Sequence, residues 1–194
     1  NYITALGYDN DTYNDYDHYW PADYHIVGKE IVRFHSIIWP AMLMSLDLPL
    51  PKKVYGHGWL NFNGEKMSKS RGNVVDPYLL SERFGVDALR FFLLRTFPFG
   101  SDGNFTNELL ISTINTDLAN TLGNLVNRTV AMVSKYFGKT VNNPKVCEDV
   151  DNELKSLCLE TVALVDEKMK ELKVADSIEL VMALARRCNK YIDE

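Results

Sequence analysis

Tyr24-His25-Ile26-Val27 is a short apolar run of strand character, ended by Gly28. From Glu30 to Ser45 apolar side chains fall at Ile31, Phe34, Ile37 and Ile38, the spacing of one helical face. Pro40 is expected to kink this helix, because proline cannot donate the internal hydrogen bond. Pro49 and Pro51 close the unit, and Lys53-Val54-Tyr55-Gly56-His57 is a second strand. Strand, helix, strand in that order predicts a crossover unit of a parallel sheet.

On the N-terminal side, residues 1–20 are rich in Tyr, Asp and Asn and are expected to form a long loop around an aromatic cluster. On the other side, Trp59-Leu60-Asn61-Phe62 and the Asn63-Gly64 pair predict a hairpin. It leads into Gly64-Glu65-Lys66-Met67-Ser68-Lys69-Ser70-Arg71-Gly72, a short loop with two lysines and two serines between glycines. Such a loop can close on a polyphosphate, because ammonium groups on flexible stems make strong charge-assisted contacts to phosphate oxygens. Gly64 and Gly72 supply hinge freedom. The bland alternative is a solvated surface loop.

Beyond the loop the pattern is helical. Asp76-Pro77 is an N-cap followed by proline at the first helical position, and Gly85 stands where a C-cap is expected. Val86 to Arg95 is a second short helix, and Phe97 to Gly103 is a turn-rich connector taken as the domain boundary. Leu110, Ile114, Leu118, Leu122, Leu125, Thr129, Met132 and Tyr136 recur three or four apart, predicting one long amphipathic helix over 107–137. A loop over 138–150 contains Pro144. A helix from Asp151 carries Leu154, Leu157, Cys158, Val165 and Leu172 inward. Asp176 and Glu179, at capping-box spacing, predict the start of a third, with Ile178, Met182, Ala185 and Ile192 inward. The expected fold class is α/β followed by all-α: the catalytic-type domain over 1–100, then an antiparallel helical bundle over 101–194.

The 194 residues, 46% hydrophobic and 24% charged, are ordinary for a globular protein. No apolar run approaches the length of a membrane span. A net charge of -5 argues against a uniformly basic nucleic-acid-binding surface, though not against a local basic patch. Cys147, Cys158 and Cys188 are odd in number and lack metal-ligand spacing, so a reduced, cytoplasmic setting without a metal site is expected. The chain opens at Asn1 in structured-looking sequence and is expected to be a piece of a longer polypeptide.

The pentamer Lys66-Met67-Ser68-Lys69-Ser70 matches the signature loop of class I aminoacyl-tRNA synthetases. Val27 to Leu43, with the block Phe34-His35-Ser36-Ile37-Ile38-Trp39-Pro40, resembles the methionyl-tRNA synthetases of bacterial type. So do Val54 to Leu60, and Thr121-Leu122-Gly123-Asn124-Leu125-Val126-Asn127-Arg128. The resemblance covers essentially the whole chain. It implies the C-terminal half of a Rossmann-like nucleotide-binding domain followed by part of an anticodon-binding bundle. It also implies ATP-dependent activation of methionine and transfer to tRNA(Met). The first nucleophile, a carboxylate, is already ionised at neutral pH. Catalysis then rests on positioning and on stabilising charge on departing pyrophosphate.

The resemblance gives residues their roles. Lys66, Ser68, Lys69 and Ser70 are catalytic, with Lys69 first for transition-state contact. Lys69, Gly28, Glu30, His57 and the backbone at Leu60 meet ATP. Tyr2, Ile31, Val32, His35 and Trp39 line or support the methionine pocket, which an apolar thioether requires to be apolar and aromatic. From spacing alone, Ile31, His35 and Trp39 serve equally as an ordinary helix core face. Asn120, Asn124 and Arg128 form a polar stripe able to read unstacked bases or simply to be solvated. The resemblance assigns Asn124 and Arg128 to the anticodon. ATP with Mg2+, methionine and tRNA are the expected partners, with no membrane partner and a monomeric state. The zinc of the family's connective insertion is not expected in this chain.

The family's His-x-Gly-His element is absent from these residues, so the chain by itself is not expected to aminoacylate. The rival readings are the leucine, isoleucine and valine synthetases, which share the loop, and a non-catalytic tRNA-binding module. The block from His35 to Pro40 favours methionine.

Overall fold

The computed structural model describes residues 1–141 and 145–194, the side chain of Lys69 excepted. Pro144 of the expected loop lies outside the described residues. The chain divides into two compact units, Asn1–Trp59 and Leu60–Glu194.

In the first unit, the N-terminal residues expected to be a loop contain two single-turn helices, α1 (Tyr2–Ala5) and α2 (Tyr16–Tyr19). They form because Ile3 and Trp20 bury themselves against Leu43, flanked by Tyr16, Trp39, Leu6 and Leu48. Tertiary burial here overrides weak local propensity. The Trp20 indole N–H donates to the Pro49 carbonyl at 2.8 Å, so the ring is buried without an orphaned donor.

Strands β1 (His25–Gly28) and β2 (Val54–His57) pair in parallel, with His25 opposite Val54 and Gly28 opposite His57. The expected crossover lies between them, but it is not one α-helix. A 3-10 turn (Lys29–Ile31) leads to a π-helical turn (Phe34–Ile38) and then to α3 (Trp39–Ser45). Pro40 enters the first turn of α3, where its missing N–H costs least. The irregular geometry therefore precedes the proline.

In the second unit, β3 (Leu60–Phe62) and β4 (Glu65–Lys66) form the expected hairpin, with Phe62 opposite Glu65. Asn63 (φ 50°) and Gly64 (φ 83°) both adopt positive φ, as a type I′ turn requires. The Asn104 side chain accepts from Gly64 N at 2.6 Å and fastens the turn. A 3-10 turn (Lys69–Arg71) follows, then α4 (Pro77–Phe84), capped by the Asp76 carboxylate on Tyr78 N, and α5 (Val86–Thr96). The expected connector runs into β5 (Gly103–Phe105), which pairs in parallel with β3. Phe92, Phe105 and Leu110 form the buried centre of this unit, and the rings of Phe92 and Phe105 meet edge to face at 5.5 Å.

The long helix expected over 107–137 is interrupted. After α6 (Asn107–Thr113), capped by Thr106 on Leu109 N, the chain winds as a π-helix (Ile114–Gly123) before returning to α7 (Asn124–Phe137). Wider turns shift the phase of everything that follows. Leu110, Ile114, Leu118 and Leu125 point inward as expected, whereas Leu122, Thr129, Met132 and Tyr136 are exposed. Asp117 and Thr121 take buried positions instead.

Helix α8 (Asp149–Lys170) starts two residues earlier than expected, with Glu148 and Asp151 forming a capping box. Helix α9 (Val174–Tyr191) packs against it and buries Met182 and Ala185. The capping box expected of Asp176 and Glu179 is not formed. The helix begins before Asp176, and Glu179 instead pairs with Arg95 and Arg186.

Candidate functional site

The first unit holds an apolar cavity of about 470 Å³ lined by Asn1, Tyr2, Phe34, His35, Ile38, Trp39 and Met42. The π turn presents His35 and Ile38 to it, and α1 presents Tyr2. His35 Nδ1 lies 3.0 Å from the Ile31 carbonyl, which can only accept, so Nδ1 carries the proton. In the tautomer with the proton on Nδ1, Nε2 is the acceptor for the Tyr2 hydroxyl, 2.7 Å away. In that arrangement Tyr2 turns only oxygen lone pairs to a ligand.

Beneath these rings lies His25, a residue the sequence reading missed. It is buried, and its ring packs 4.8 Å from Tyr2 and 5.8 Å from His35, centroid to centroid. Its Nε2 accepts the Trp39 indole N–H at 3.2 Å. Burial, and secondarily the neighbouring His35, push the imidazole pKa below its ordinary value, so the ring is neutral and available as acceptor. Nothing in the local spacing marks this role; only its place at the start of β1, under the helix that returns over it, makes His25 legible.

Of the five residues expected at the methionine pocket, Tyr2, His35 and Trp39 come together. Ile31 and Val32 lie on the turn before and do not line the cavity. Their parts are local ones: the Ile31 carbonyl orients His35, and Val32 O accepts from Ser36 Oγ at 2.8 Å.

Gly28 and Glu30 lie against one another. A Cβ on Gly28 would lie 2.5 Å from Glu30 Oε2, so the carboxylate fills the space a side chain would take. His57 Nδ1 is 3.0 Å from the carbonyl of Gly58.

In the second unit, Leu60 begins β3, its backbone committed to the ladder with β5. Lys66 ends β4, and Ser68 and Ser70 hydroxyls lie 2.8 Å apart. Lys69 starts the 3-10 turn, and its side chain is outside the described part. Asn73 was not foreseen. Its Oδ1 accepts from Ser68 N at 2.8 Å and its Nδ2 donates to Lys66 O at 3.2 Å, tying both limbs of the loop to one amide. Arg71 and Glu65 make an exposed ion pair at 3.6 Å across the loop base.

The polar stripe on α7 is turned toward α9. Asn124 Nδ2 lies 3.4 Å from Asn189 Oδ1, and the Arg128 guanidinium pairs with Asp193 while reaching the Asn189 carbonyl at 3.4 Å. Asn189 Nδ2 donates to the Thr121 carbonyl at 3.0 Å, which also accepts the Asn124 backbone N–H at the end of the wide helix. Asn120 remains exposed. A larger cavity, about 680 Å³, lies along α8 beside Asp151, Leu154, Cys158 and Tyr191, and contains none of the expected site residues. Among the described residues no cluster of His, Cys, Asp or Glu could hold a metal ion, and no helix is long and apolar enough to cross a membrane.

An aromatic pocket behind a parallel crossover, and a lysine-serine loop leaving a hairpin, are features of a class I synthetase. A family model described as tRNA synthetases class I (M) matches residues 1–130, and the chain belongs to that family. Methionine–tRNA ligases of Clostridium acetobutylicum and Bacillus subtilis are each 55% identical to it. These alignments cover 100% of this chain but 30% and 29% of theirs, so the chain spans about three-tenths of the relatives' length. Among solved structures, Mycobacterium tuberculosis methionyl-tRNA synthetase bound by methionyl-adenylate superposes with a TM-score of 0.92 at 41% identity, over 99% of this chain and 38% of that one.

Proposed function

We propose that this chain is part of a methionine–tRNA ligase, which activates methionine with ATP and transfers it to tRNA(Met) in the cytoplasm. The observation that carries the reading is the pocket of Tyr2, His35 and Trp39, whose hydroxyl and indole groups are engaged by His35 and His25. A thioether has no donor and is a weak acceptor, so it is suited by such a cavity. A polar side chain of similar length that needs a hydrogen-bond donor would find none there.

Residues 1–100 then form the C-terminal part of a Rossmann-like catalytic domain, and 101–194 part of an antiparallel, anticodon-binding bundle. The methionine carboxylate attacks the α-phosphorus of ATP, and pyrophosphate leaves. Lys66 and Lys69 stabilise the charge that gathers on the leaving group, with Ser68 and Ser70 as hydroxyl donors; Mg2+ arriving with ATP would neutralise phosphate charge. Gly28 gives the backbone close approach to nucleotide, Glu30 accepts ribose hydroxyls, and His57 with the Leu60 backbone meets adenosine. Ile31 and Val32 support the methionine pocket from behind. Asn124 and Arg128 contact anticodon nucleotides once the Arg128–Asp193 pair opens. The region acts as a monomer, and zinc is left to other parts of the polypeptide.

The test is ATP–pyrophosphate exchange by the intact parent enzyme with methionine, leucine, isoleucine and valine in turn. Exchange with methionine alone, lost in Lys69→Ala, is the expected result. Exchange with another amino acid would move the reading to a sister synthetase. None with any of the four would leave a tRNA-binding module.

A further inference from the structure

The indole of Trp39 is held in place by one hydrogen bond, and its acceptor is a residue with no role so far. An indole N–H can only donate, so the 3.2 Å contact requires an unprotonated Nε2 on His25. His25 is itself fixed. Its backbone N–H donates to Lys53 O at 2.8 Å, and its ring is enclosed by Tyr2, Trp20, His35 and Trp39. Trp20 lies 5.8 Å from Trp39 across the same cluster and is locked by Pro49. His25 is therefore the polar centre of an otherwise aromatic box, and two of the cavity's walls, Tyr2 and Trp39, rest on it.

We propose that His25 is a positioning residue for the amino-acid pocket, setting the plane of Trp39 as a neutral Nε2 acceptor. The proposal rests on the functional reading above and adds a residue to it. Without the acceptor, the indole N–H would be orphaned in an aromatic cluster and would rotate to seek another partner. Trp39 would then no longer present a flat apolar wall to the thioether.

The position is pH-sensitive. The groups facing His25 that titrate are His35 and Tyr2; the others around it, Trp20 and Trp39, do not. Protonation of His25, as pH falls below the ordinary imidazole range, puts an N–H against an N–H and breaks the bond.

The test compares wild type, His25→Gln and His25→Leu in the intact parent enzyme. Glutamine carries an acceptor oxygen at about the reach of Nε2; leucine fills volume without one. The expected result is a KM for methionine about tenfold higher in His25→Leu, with KM for ATP unchanged, and near-wild-type values in His25→Gln. In wild type the methionine KM rises at acid pH, and in His25→Gln this rise is reduced. A double-mutant cycle with Trp39→Phe should remove the effect of His25→Leu, because no indole N–H remains to be held. Equal methionine KM values in wild type and His25→Leu would overturn the proposal. The indole proton resonance of Trp39, followed against pH by NMR on tryptophan-labelled protein, gives a readout independent of activity. It should titrate in wild type and not in His25→Gln. A wild type inactive with methionine but showing that titration would refute the functional reading and leave His25's hold on Trp39 standing. A flat resonance in an active enzyme would refute the proposal alone.

Discussion

Arg95 Nε lies 3.3 Å from Asp117 Oδ2, and the pair, largely shielded from water, joins α5 to the wide helical segment. The same guanidinium reaches Glu179 on α9, which in turn holds Arg186. Three elements of the second unit meet at one cation. Removing a single partner of such a pair strands the other charge. Asp117→Ala is therefore expected to cost about 3 kcal/mol in urea denaturation. A loss below about 1 kcal/mol would show that Glu179 suffices for Arg95.

Asn73 bonds both limbs of the lysine-serine loop. In Asn73→Ala the Ser68 amide loses its acceptor, so its hydrogen exchange should quicken, and methionine-dependent ATP–pyrophosphate exchange in the parent should fall about tenfold. Asn73→Asp keeps the acceptor but not the donor and should fall between. Unchanged exchange at Ser68 would mean that the loop is held elsewhere.

Tyr191 donates to Asp151, and the pair gives a pH signature. That bond, with the Glu148 backbone N–H and the Lys155 charge, holds the Asp151 carboxyl below its usual 3.8, opposed by some desolvation. The same bond is the leading reason that Tyr191 is raised above 10.0. A depressed acid contributes stability above its unfolded pKa and loses it as pH falls through the folded value. A raised phenol contributes below its unfolded pKa and loses it as pH rises through the folded one. The wild type should therefore melt higher than Tyr191→Phe from about pH 4 to pH 10, with the gap closing on either side. A gap constant from pH 2 to pH 12 would assign it to packing.

Arg128 is paired with Asp193, so its guanidinium is not idle in the unbound chain. If it reads anticodon bases, Arg128→Ala should weaken tRNA binding in the parent about tenfold or more, while Asp193→Ala should tighten it by releasing the guanidinium. Weakening by both substitutions would show that the pair serves to dock α7 on α9.

What the sequence made legible was local chemistry. The Asn63-Gly64 turn and the Asp76-Pro77 cap each follow from two or three neighbouring residues, and the parallel pairing across residues 25–57 from the order of strand, helix and strand. The features that stayed hidden depend on partners far along the chain. His25 acquires its role only when Trp39 folds back over it, and Asn189 only when it meets the Thr121 carbonyl. Glu179 looked like a cap because its spacing from Asp176 was right, yet two arginines took its carboxylate. Periodicity failed at Ile114, where π winding replaced the 3.6-residue turn on which the inward positions of Leu122 and Met132 had been reckoned. Among the expected site residues, Tyr2, His35 and Trp39 were brought together, while Ile31 and Val32 are not among the residues that line the cavity.

The wide turns of Ile114–Gly123 have a mechanical corollary. A π-helix holds more residues per turn than an α-helix, so it works as a gear between α6 and α7. Deleting one residue while the rest of the segment keeps its winding would rotate everything downstream by roughly 80–100°. Leu125 and Arg128 would swing off α9, and the exposed row of Leu122, Val126 and Val130 would roll toward it. The length of this segment, as much as the identity of its side chains, aims the second half of the helix.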